Sequence, residues 1–264
     1  MTVLATRSLV RRRGERTVLD GIEVTFADGR LSAIVGPNGA GKTTLLHLHA
    51  GLDSPDGGEA VLDGGRVDRL DAAARSRRIA YLPQSAAVYW PLLGCDLVAL
   101  GRLPHGADLS RPLAPTDTAA IDRALARVGG TPLAARRIDE LSQGERARLA
   151  LARVLATEAD VILADEPVAN LDPAYALEAM TLLEAEAARG VCVVVCLHDL
   201  GLTARFADHV VLLAAGRMQA SGSPAMVLQP GVIDVAYGVG FRTVIVDGIV
   251  QPIAWTYRRQ DSSG

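Results

Sequence analysis

The stretch Gly36-Pro37-Asn38-Gly39-Ala40-Gly41-Lys42-Thr43-Thr44 decides the fold. It follows an apolar run that ends at Val35 and leads into Leu45 and Leu46, which predicts a strand, a glycine-rich loop and a helix. The pattern G-x-x-x-x-G-K-[ST] is typical of a loop whose backbone N–H groups surround a phosphate chain. Lys42 then lies beside the outer phosphates and the Thr43 hydroxyl faces magnesium. The stretch predicts a nucleotide-binding α/β domain, but it does not indicate which reaction the domain catalyses.

The composition of the whole sequence limits the fold classes and functions that the chain can have. With 264 residues, of which 49% are hydrophobic, the chain can form one large domain with a sizeable core. The sequence contains 27 Lys and Arg residues and 30 Asp and Glu residues. This near balance of positive and negative charge does not favour binding to nucleic acid. Cys95, Cys192 and Cys196 lack metal-type spacing and are typical of reduced core cysteines in the cytosol. There is no signal-peptide pattern and no apolar run of about 18 residues, so we expect any membrane role to depend on a partner.

The hydrophobic pattern predicts a P-loop core with two additions. Short apolar groups between Val3 and Phe26, broken by glycines, predict an N-terminal antiparallel β subdomain. Continuous apolar runs at 161–164 and 191–197 predict central strands of a mainly parallel sheet, because such strands are covered on both faces. Prolines and helical spacing at about 90–140 predict an inserted helical subdomain. The tail past Phe241 shows weak strand signals at 244–246 and an end that looks unstructured.

Two acids and a histidine follow the predicted central strands. Asp165 and Glu166 come directly after the run 161–164, and His198 follows the run 191–197. Ligands bind at this edge of an open α/β sheet. Asp165 is therefore expected to hold the magnesium shell and Glu166 to orient and deprotonate the water that attacks the γ-phosphate. His198 is expected to contact that phosphate, although a lone histidine after a strand is more often structural.

An ordered set of motifs runs along most of the chain, from about Val3 to Val239. The set consists of Gly36 to Thr44, Gln84, Leu141-Ser142-Gln143-Gly144-Glu145, Asp165-Glu166, Asn170-Leu171-Asp172 and His198. In this order the motifs resemble the ATPase subunit of ATP-binding cassette (ABC) transporters.

The resemblance implies an ABC ATPase domain over residues 1–240, a short extension over 241–264, and an ATP site shared by two copies arranged head to tail. Ser142 and Gly144 of one copy would contact the γ-phosphate held by the other. Gln84 would touch magnesium or the attacking water, and Asp172 would help to order the neighbouring site. Ser142 and Glu145 also form a capping-box pattern, which predicts that a helix begins at this point. The N-terminus of that helix would attract anions.

The sequence departs from the family pattern in three places. Gln143 and Glu145 replace a glycine and a glutamine. The aromatic residue that stacks on adenine in relatives is missing; Arg13 falls near its place and, with Val18, is assigned to the nucleotide site. A guanidinium can stack on a base, so base selectivity stays open. Ala164 replaces a leucine, with no obvious functional result.

The chain contains the segment Ala99-Leu100-Gly101-Arg102-Leu103-Pro104-His105 and, later, Leu197-His198-Asp199-Leu200 followed by Ala204-Arg205-Phe206-Ala207-Asp208. These segments are similar to the ATPases of importers for iron-siderophore complexes, haem and cobalamin. The resemblance implies transmembrane permease subunits as partners, an indirect link to a substrate-binding protein, and a peripheral position on the cytoplasmic face of the cell membrane. The alternatives are an ABC transporter of other cargo or an exporter, a soluble ABC switch protein of translation or DNA repair, a catalytically silent subunit and a P-loop kinase. The sequence does not name the cargo.

Overall fold

The structure, a computed structural model, describes residues 2–84 and 92–257. The predicted start of the helical subdomain near residue 90 and the last residues of the predicted extension lie outside the described residues. The described strands are β1 (Val3–Arg13), β2 (Arg16–Ala27), β3 (Arg30–Val35), β4 (Gly57–Leu62), β5 (Gly65–Arg66), β6 (Ile79–Leu82), β7 (Val161–Asp165), β8 (Cys192–Cys196), β9 (His209–Ala214), β10 (Arg217–Gly222), β11 (Val239–Val246) and β12 (Ile249–Tyr257). The described α-helices are α1 (Lys42–His49), α2 (Ala72–Arg78), α3 (Gly94–Ala99), α4 (Pro115–Arg127), α5 (Gln143–Ala156), α6 (Pro173–Ala188), α7 (Leu200–Phe206), α8 (Pro224–Val227) and α9 (Pro230–Tyr237).

An antiparallel sheet forms the N-terminal part of the fold, with strand order β2-β1-β4-β5. Leu4 of β1 pairs with Phe26 on one side and with Leu62 on the other. All three side chains are buried in one hydrophobic cluster with Leu45 and Leu46 of α1. The predicted antiparallel β subdomain is confirmed.

The central sheet has the strand order β10-β9-β3-β8-β7-β6. Strands β9, β3, β8, β7 and β6 run parallel, while β10 pairs antiparallel with β9. The carboxyl ends of the parallel strands therefore meet at one edge, and this edge receives the loops that follow β3, β6, β7 and β8. The predicted P-loop core with a mainly parallel sheet is confirmed.

Both faces of the central sheet are covered. On β8, Cys192, Val194 and Cys196 belong to the cluster that includes α1, whereas Val193 and Val195 belong to the cluster that includes α5 and α6. All five side chains are fully buried. This two-sided burial explains why the strand has no polar alternation in its sequence.

Helices α3, α4 and α5 pack together on one side of the molecule, with Leu97, Leu125 and Leu149 in their common core. The segment Leu100–His105 forms a 3-10 turn next to α5. A Cβ atom at Gly101 would lie 2.2 Å from the carbonyl oxygen of Arg153, so this close approach requires glycine. The predicted helical character of the insert agrees with these elements, and its division into a subdomain stays a prediction.

The buried guanidinium of Arg102 fastens this turn to its surroundings. Its Nε lies 2.8 Å from Asp117 Oδ1, and its Nη1 donates to the carbonyl oxygen of Ala156 and to Glu158 Oε2. Because Ala156 ends α5, the turn and the helix are held together at that end.

The C-terminal part is more regular than predicted. Strands β11 and β12 form a two-stranded antiparallel sheet, with Val246 paired to Ile249 next to the turn. The prediction of an unstructured end is therefore wrong over Ile249–Tyr257. The sequence signal was weak because most side chains of β11 are exposed and show no core pattern. Nowhere in residues 2–84 or 92–257 is there a helix with the length and apolarity needed to cross a membrane.

Candidate nucleotide site

The glycine-rich loop lies between β3 and α1 as predicted. Gly36 and Gly41 have positive φ angles of 148° and 103°. A Cβ atom would lie 2.0 Å from the carbonyl oxygen of Leu213 at Gly36, and 2.5 Å from Leu19 Cδ2 at Gly41. Both backbone conformation and packing therefore require these two glycines. Helix α1 begins at Lys42, so its positive end points into the loop.

Lys42 is held inside the loop. Its Nζ donates hydrogen bonds to the carbonyl oxygens of Gly36 at 2.9 Å and Pro37 at 3.3 Å. Burial lowers the pKa of the Lys42 ammonium, and the nearby carboxylates of Glu166 and Asp165 oppose this effect. A phosphate chain would oppose it in the same way, because an adjacent negative charge favours the charged amine.

An open cleft of ≈ 380 Å³ runs beside this loop. Its volume falls within the roughly 300–1,000 Å³ of ordinary ligand sites. The cleft is lined by residues 38–44 and by Arg13, Arg16, Val18 and Glu166. The structure thus places the predicted Arg13 and Val18 at the cleft. It adds Arg16, which sequence reasoning missed although the residue lies only three positions after Arg13 across a Gly-containing turn.

Three predicted residues meet at the carboxyl edge of the sheet. Gln84 Nε2 donates to Glu166 Oε2 at 2.6 Å, and His198 Nε2 lies 2.5 Å from Glu166 Oε1. Glu166 adopts a positive φ of 49°, an uncommon conformation for a residue with a side chain. Both carboxylate oxygens of Glu166 are therefore held by side chains that follow the neighbouring strands β6 and β8.

Asp165 is the last residue of β7 and directly precedes Glu166 in the chain. It is 2% exposed. Its Oδ1 is buried and has no hydrogen-bond partner among the residues that the structure describes. Such an oxygen costs free energy unless a cation or a water satisfies it. Thr43 lines the cleft on the loop side. A buried carboxylate oxygen and a hydroxyl beside a phosphate site fit Mg²⁺, which takes few protein ligands and binds phosphates as well.

Ser142 and Glu145 form the predicted capping box at the start of α5. The Ser142 hydroxyl accepts from the backbone N–H of Glu145, and Glu145 Oε2 accepts from the backbone N–H of Ser142 at 2.8 Å. The hydrogen bond from the Ser142 backbone lowers the pKa of the Glu145 carboxyl. Gly144 has a packing role as well, since a Cβ atom there would lie 2.8 Å from the ring of Tyr175.

Asp172 caps α6, and its Oδ1 accepts from the backbone N–H groups of Ala174 and Tyr175. Ser142, Gly144 and Asp172 do not line the cleft of their own chain, as far as the described residues show. The structure therefore does not bring these three predicted residues to the phosphate loop. Their role toward a second copy stays a prediction.

The comparisons with known proteins agree with this architecture. The sequence profile of the family described as "ABC transporter" matches residues 19–169. A cobalamin import ATP-binding protein of Halobacterium salinarum is 42% identical over 238 residues, which cover 90% of this chain and 59% of that protein. The chain thus spans less than two thirds of this relative's length. A hemin import ATP-binding protein of Nocardia farcinica is 42% identical over 242 residues, which cover 90% of this chain and 83% of the relative.

Two solved structures are similar in fold. An inward-facing ABC transporter, described as of the metal-chelate type, has a TM-score of 0.83 at 22% identity and covers 97% of this chain and 98% of its own. A dimeric bacterial ABC transporter cassette has a TM-score of 0.73 at 25% identity and covers 84% of this chain and 98% of its own. The family profile covers more than half of the sequence, and the relatives are well above the identity at which homology is secure. The chain belongs to the ABC transporter family.

Proposed function

We propose that this chain is the ATP-hydrolysing subunit of an ABC importer that takes up a metal chelate through a membrane permease. The observation that carries the enzymatic part is the Glu166 carboxylate, fixed between Gln84 and His198 beside the phosphate loop. The relatives support the cargo class, since their names include import of cobalamin and hemin and transport of achromobactin. The cargo is therefore an iron-siderophore complex, haem or cobalamin.

ATP binds with its phosphates against the loop 36–44. Backbone N–H groups at the start of α1 donate to the phosphate oxygens, and Lys42 Nζ exchanges its bonds to Gly36 and Pro37 for bonds to the outer phosphates. The base lies toward Arg13 and Val18, which line the same cleft as the loop.

Glu166 accepts a proton from the attacking water. The water oxygen then bonds to the γ-phosphorus while the bond to the leaving oxygen of ADP breaks, which yields ADP and phosphate. His198 and Gln84 hold the carboxylate in place, and His198 also contacts the γ-phosphate. Thr43 and Asp165, with Gln84 nearby, would hold Mg²⁺. When bound, this ion neutralises charge on the phosphates.

The complete site needs a second copy of the chain. In the proposed head-to-tail dimer, Ser142 and Gly144 of one copy lie against the γ-phosphate of the other, and Asp172 orders the shared interface. The 14-residue helix α5 supports this arrangement, because its N-terminus begins at Ser142 and attracts anions. Dimer closure around two ATP molecules moves the helical subdomains and the permease subunits, and hydrolysis reopens the dimer. The chain then lies on the cytoplasmic face of the membrane through its permease, with a substrate-binding protein on the other side.

The substitution Glu166→Gln tests the enzymatic proposal. It keeps a hydrogen-bonding side chain but removes the base, so ATP affinity should persist while turnover falls by about 10²–10⁴-fold. The matched control Glu184→Gln changes an exposed acid of α6 in the same way and should leave both quantities unchanged. Wild-type turnover in Glu166→Gln would contradict the assigned role.

The cargo is tested by a second experiment. The chain is purified with its native permease, and the ligand of the associated binding protein is identified by mass spectrometry. A metal chelate supports the proposed cargo class, and a sugar, peptide or amino acid overturns it.

A further inference from the structure

Tyr175 connects the start of α6 with the start of α5. It lies in the first turn of α6, which Asp172 caps, and its ring packs on Gly144 in the first turn of α5. A Cβ atom at Gly144 would lie 2.8 Å from both Cδ2 and Cε2 of this ring. The ring therefore rests directly on the backbone of α5, two residues after Ser142. It sets the distance between two helix starts that the proposed dimer presents to its second copy.

Arg148 and Glu178 hold the ring in this position. The guanidinium carbon of Arg148, one turn after Gly144 on α5, lies 4.8 Å from the centroid of the Tyr175 ring. The Nη2 of Arg148 donates to Glu178 Oε2 at 2.7 Å, and Glu178 follows Tyr175 by one turn on α6. The two helices are thus joined at neighbouring turns, once through the ring and once through the ion pair. The ring has little freedom to move relative to α5, because both the Gly144 backbone and the Arg148 guanidinium contact it.

A small cavity of ≈ 30 Å³ lies beside the ring, between α5 and α6. Its walls include one residue near each of three other site residues: Leu82 two positions before Gln84, Pro167 directly after Glu166, and Leu171 directly before Asp172. Four segments of the site therefore come together at this cavity. Truncation of the ring would enlarge the cavity, and larger cavities cost free energy because the surrounding atoms lose contacts. Gly144 would then lack its support on this side.

The Tyr175 side chain contributes a ring rather than a hydrogen bond, and it lies outside the cleft of its own chain. Within residues 2–84 and 92–257 its hydroxyl forms no hydrogen bond. Tyr175, Arg148 and Glu178 do not line the cleft beside the loop 36–44, as far as the described residues show. A change in the ring is therefore expected to displace the segment 142–144 and to leave the phosphate loop of the same chain as it is.

We propose that Tyr175 is a positioning residue for the ATP site of the second copy. Its ring holds the segment 142–144 where Ser142 and Gly144 reach the γ-phosphate bound by the loop of the other copy. The inference rests on the proposed function, because the proposed head-to-tail dimer is what brings this segment to a phosphate. The position matters because a misplacement of about 1 Å costs up to about 100-fold in rate.

ATP-dependent dimerisation of the full chain tests the inference in the Glu166→Gln background, where turnover does not consume the ATP. Sedimentation velocity at increasing Mg-ATP concentration measures the dimer, and calorimetry with Mg-ADP measures binding to the chain's own loop. Tyr175→Ala should raise the ATP concentration for half-maximal dimer by at least about tenfold, the factor for losing one hydrogen bond to a charged group. Its affinity for ADP should stay unchanged. Tyr175→Phe keeps the ring and should match the parent in both measurements.

Trp255→Ala is the matched control. It removes an exposed aromatic ring that also lies under an arginine, with the guanidinium carbon of Arg242 4.9 Å from the ring centroid, but it lies outside α5 and α6. It should change neither the dimer nor the ADP affinity. Arg148→Met removes the guanidinium over the Tyr175 ring and keeps an aliphatic stem, so it should weaken the dimer in the same direction. It decides the question where Tyr175→Ala fails to fold.

Three results would overturn the inference. One is an unchanged dimer in Tyr175→Ala, or in Arg148→Met where that variant decides. Another is an equal loss of dimer in Tyr175→Phe, because the hydroxyl and not the ring would then be responsible. The third is a parallel loss of ADP affinity, which would indicate a general structural fault. These results leave the proposed function intact, whereas a Glu166→Gln parent that forms no ATP-dependent dimer contradicts the proposed dimer itself, and the inference falls with it.

Discussion

A buried histidine makes the stability of this protein depend on pH. His49 lies at the end of α1 with 0% exposure, and neither ring nitrogen has a hydrogen-bond partner among the described residues. Its ring packs edge-on against Phe26, with a centroid distance of 5.5 Å. Burial lowers the pKa of His49 from 6.5 to about 4, and the backbone of Leu45 opposes this shift only in part. The folded protein therefore holds this ring neutral well below the pH at which the unfolded chain protonates it.

The sign and size of the effect follow from that difference in pKa. As the pH falls below 6.5, the unfolded chain binds a proton at His49 before the folded protein does, so stability is lost progressively until the pH is below about 4. At about 1.4 kcal/mol per pKa unit, the full loss is about 3 kcal/mol. Roughly 2 kcal/mol of it has already been lost at about pH 5. This is a large share of the 5–15 kcal/mol that is typical of domains.

The substitution His49→Leu should remove this dependence. Urea unfolding of the full chain at about pH 7.5 and about pH 5 should show that the wild type loses about 2 kcal/mol more than His49→Leu does between the two conditions. At the higher pH the variant should be at least as stable as the wild type, because it buries no unsatisfied nitrogen. His47→Leu is the control on the same helix. It removes the hydrogen bond to Tyr81 and should lower stability at both pH values. An equal loss in the wild type and His49→Leu would refute the reasoning.

Three further substitutions test the loop and the helical insert. Gly36→Ala should unfold the loop or cost more than about 2 kcal/mol, because its Cβ would overlap a main-chain carbonyl oxygen. Gly39→Ala should cost less, because its Cβ meets nothing within 4 Å and only the strain of its positive φ of 78° remains. Thermal unfolding of the two variants compares them. Arg102→Leu should cost about 3–5 kcal/mol in urea unfolding, since it leaves a buried carboxylate unpaired, while Arg123→Leu breaks an exposed pair and should cost less than about 1 kcal/mol. Lys42→Ala should weaken ATP binding in calorimetry without unfolding the protein, and an unchanged affinity would contradict the phosphate-loop assignment.

The sequence predicted the central part of the fold because its signals are local. A strand buried on both faces reads as a continuous apolar run, and the loop 36–44 has a spacing that few other structures require. The ends of β3, β7 and β8 then had to lie at one edge, so the meeting of the loop with Glu166 and His198 followed from strand direction alone. The capping box at Ser142 was equally local, and the structure confirms it.

Other features depend on contacts that no local pattern reveals. The hairpin β11–β12 is exposed along most of its first strand, so it lacks the alternation that marks a strand on a core. His49 is buried because Phe26 of a distant strand covers it. Arg16 reaches the nucleotide cleft because the β1–β2 turn brings it opposite Arg13. In each case the position of the residue is set by a tertiary contact.

The departure at Glu145 gains a physical meaning from the structure. Glu145 Oε2 accepts hydrogen bonds from both the backbone N–H and the hydroxyl of Ser142, and Oε1 pairs with Arg136 at 3.0 Å. The hydrogen bond from the Ser142 backbone lowers the pKa of Glu145, so the side chain is ionised at neutral pH. In the proposed dimer, the Ser142 hydroxyl must move its hydrogen bond from the Glu145 carboxylate to the approaching γ-phosphate. That phosphate also meets a negative charge at a helix end that otherwise attracts anions. Arg136 offsets that charge. Release of the Ser142 hydroxyl from Glu145 is therefore a step that dimer closure has to include in this chain, and a glutamine at the same position would not oppose it by charge.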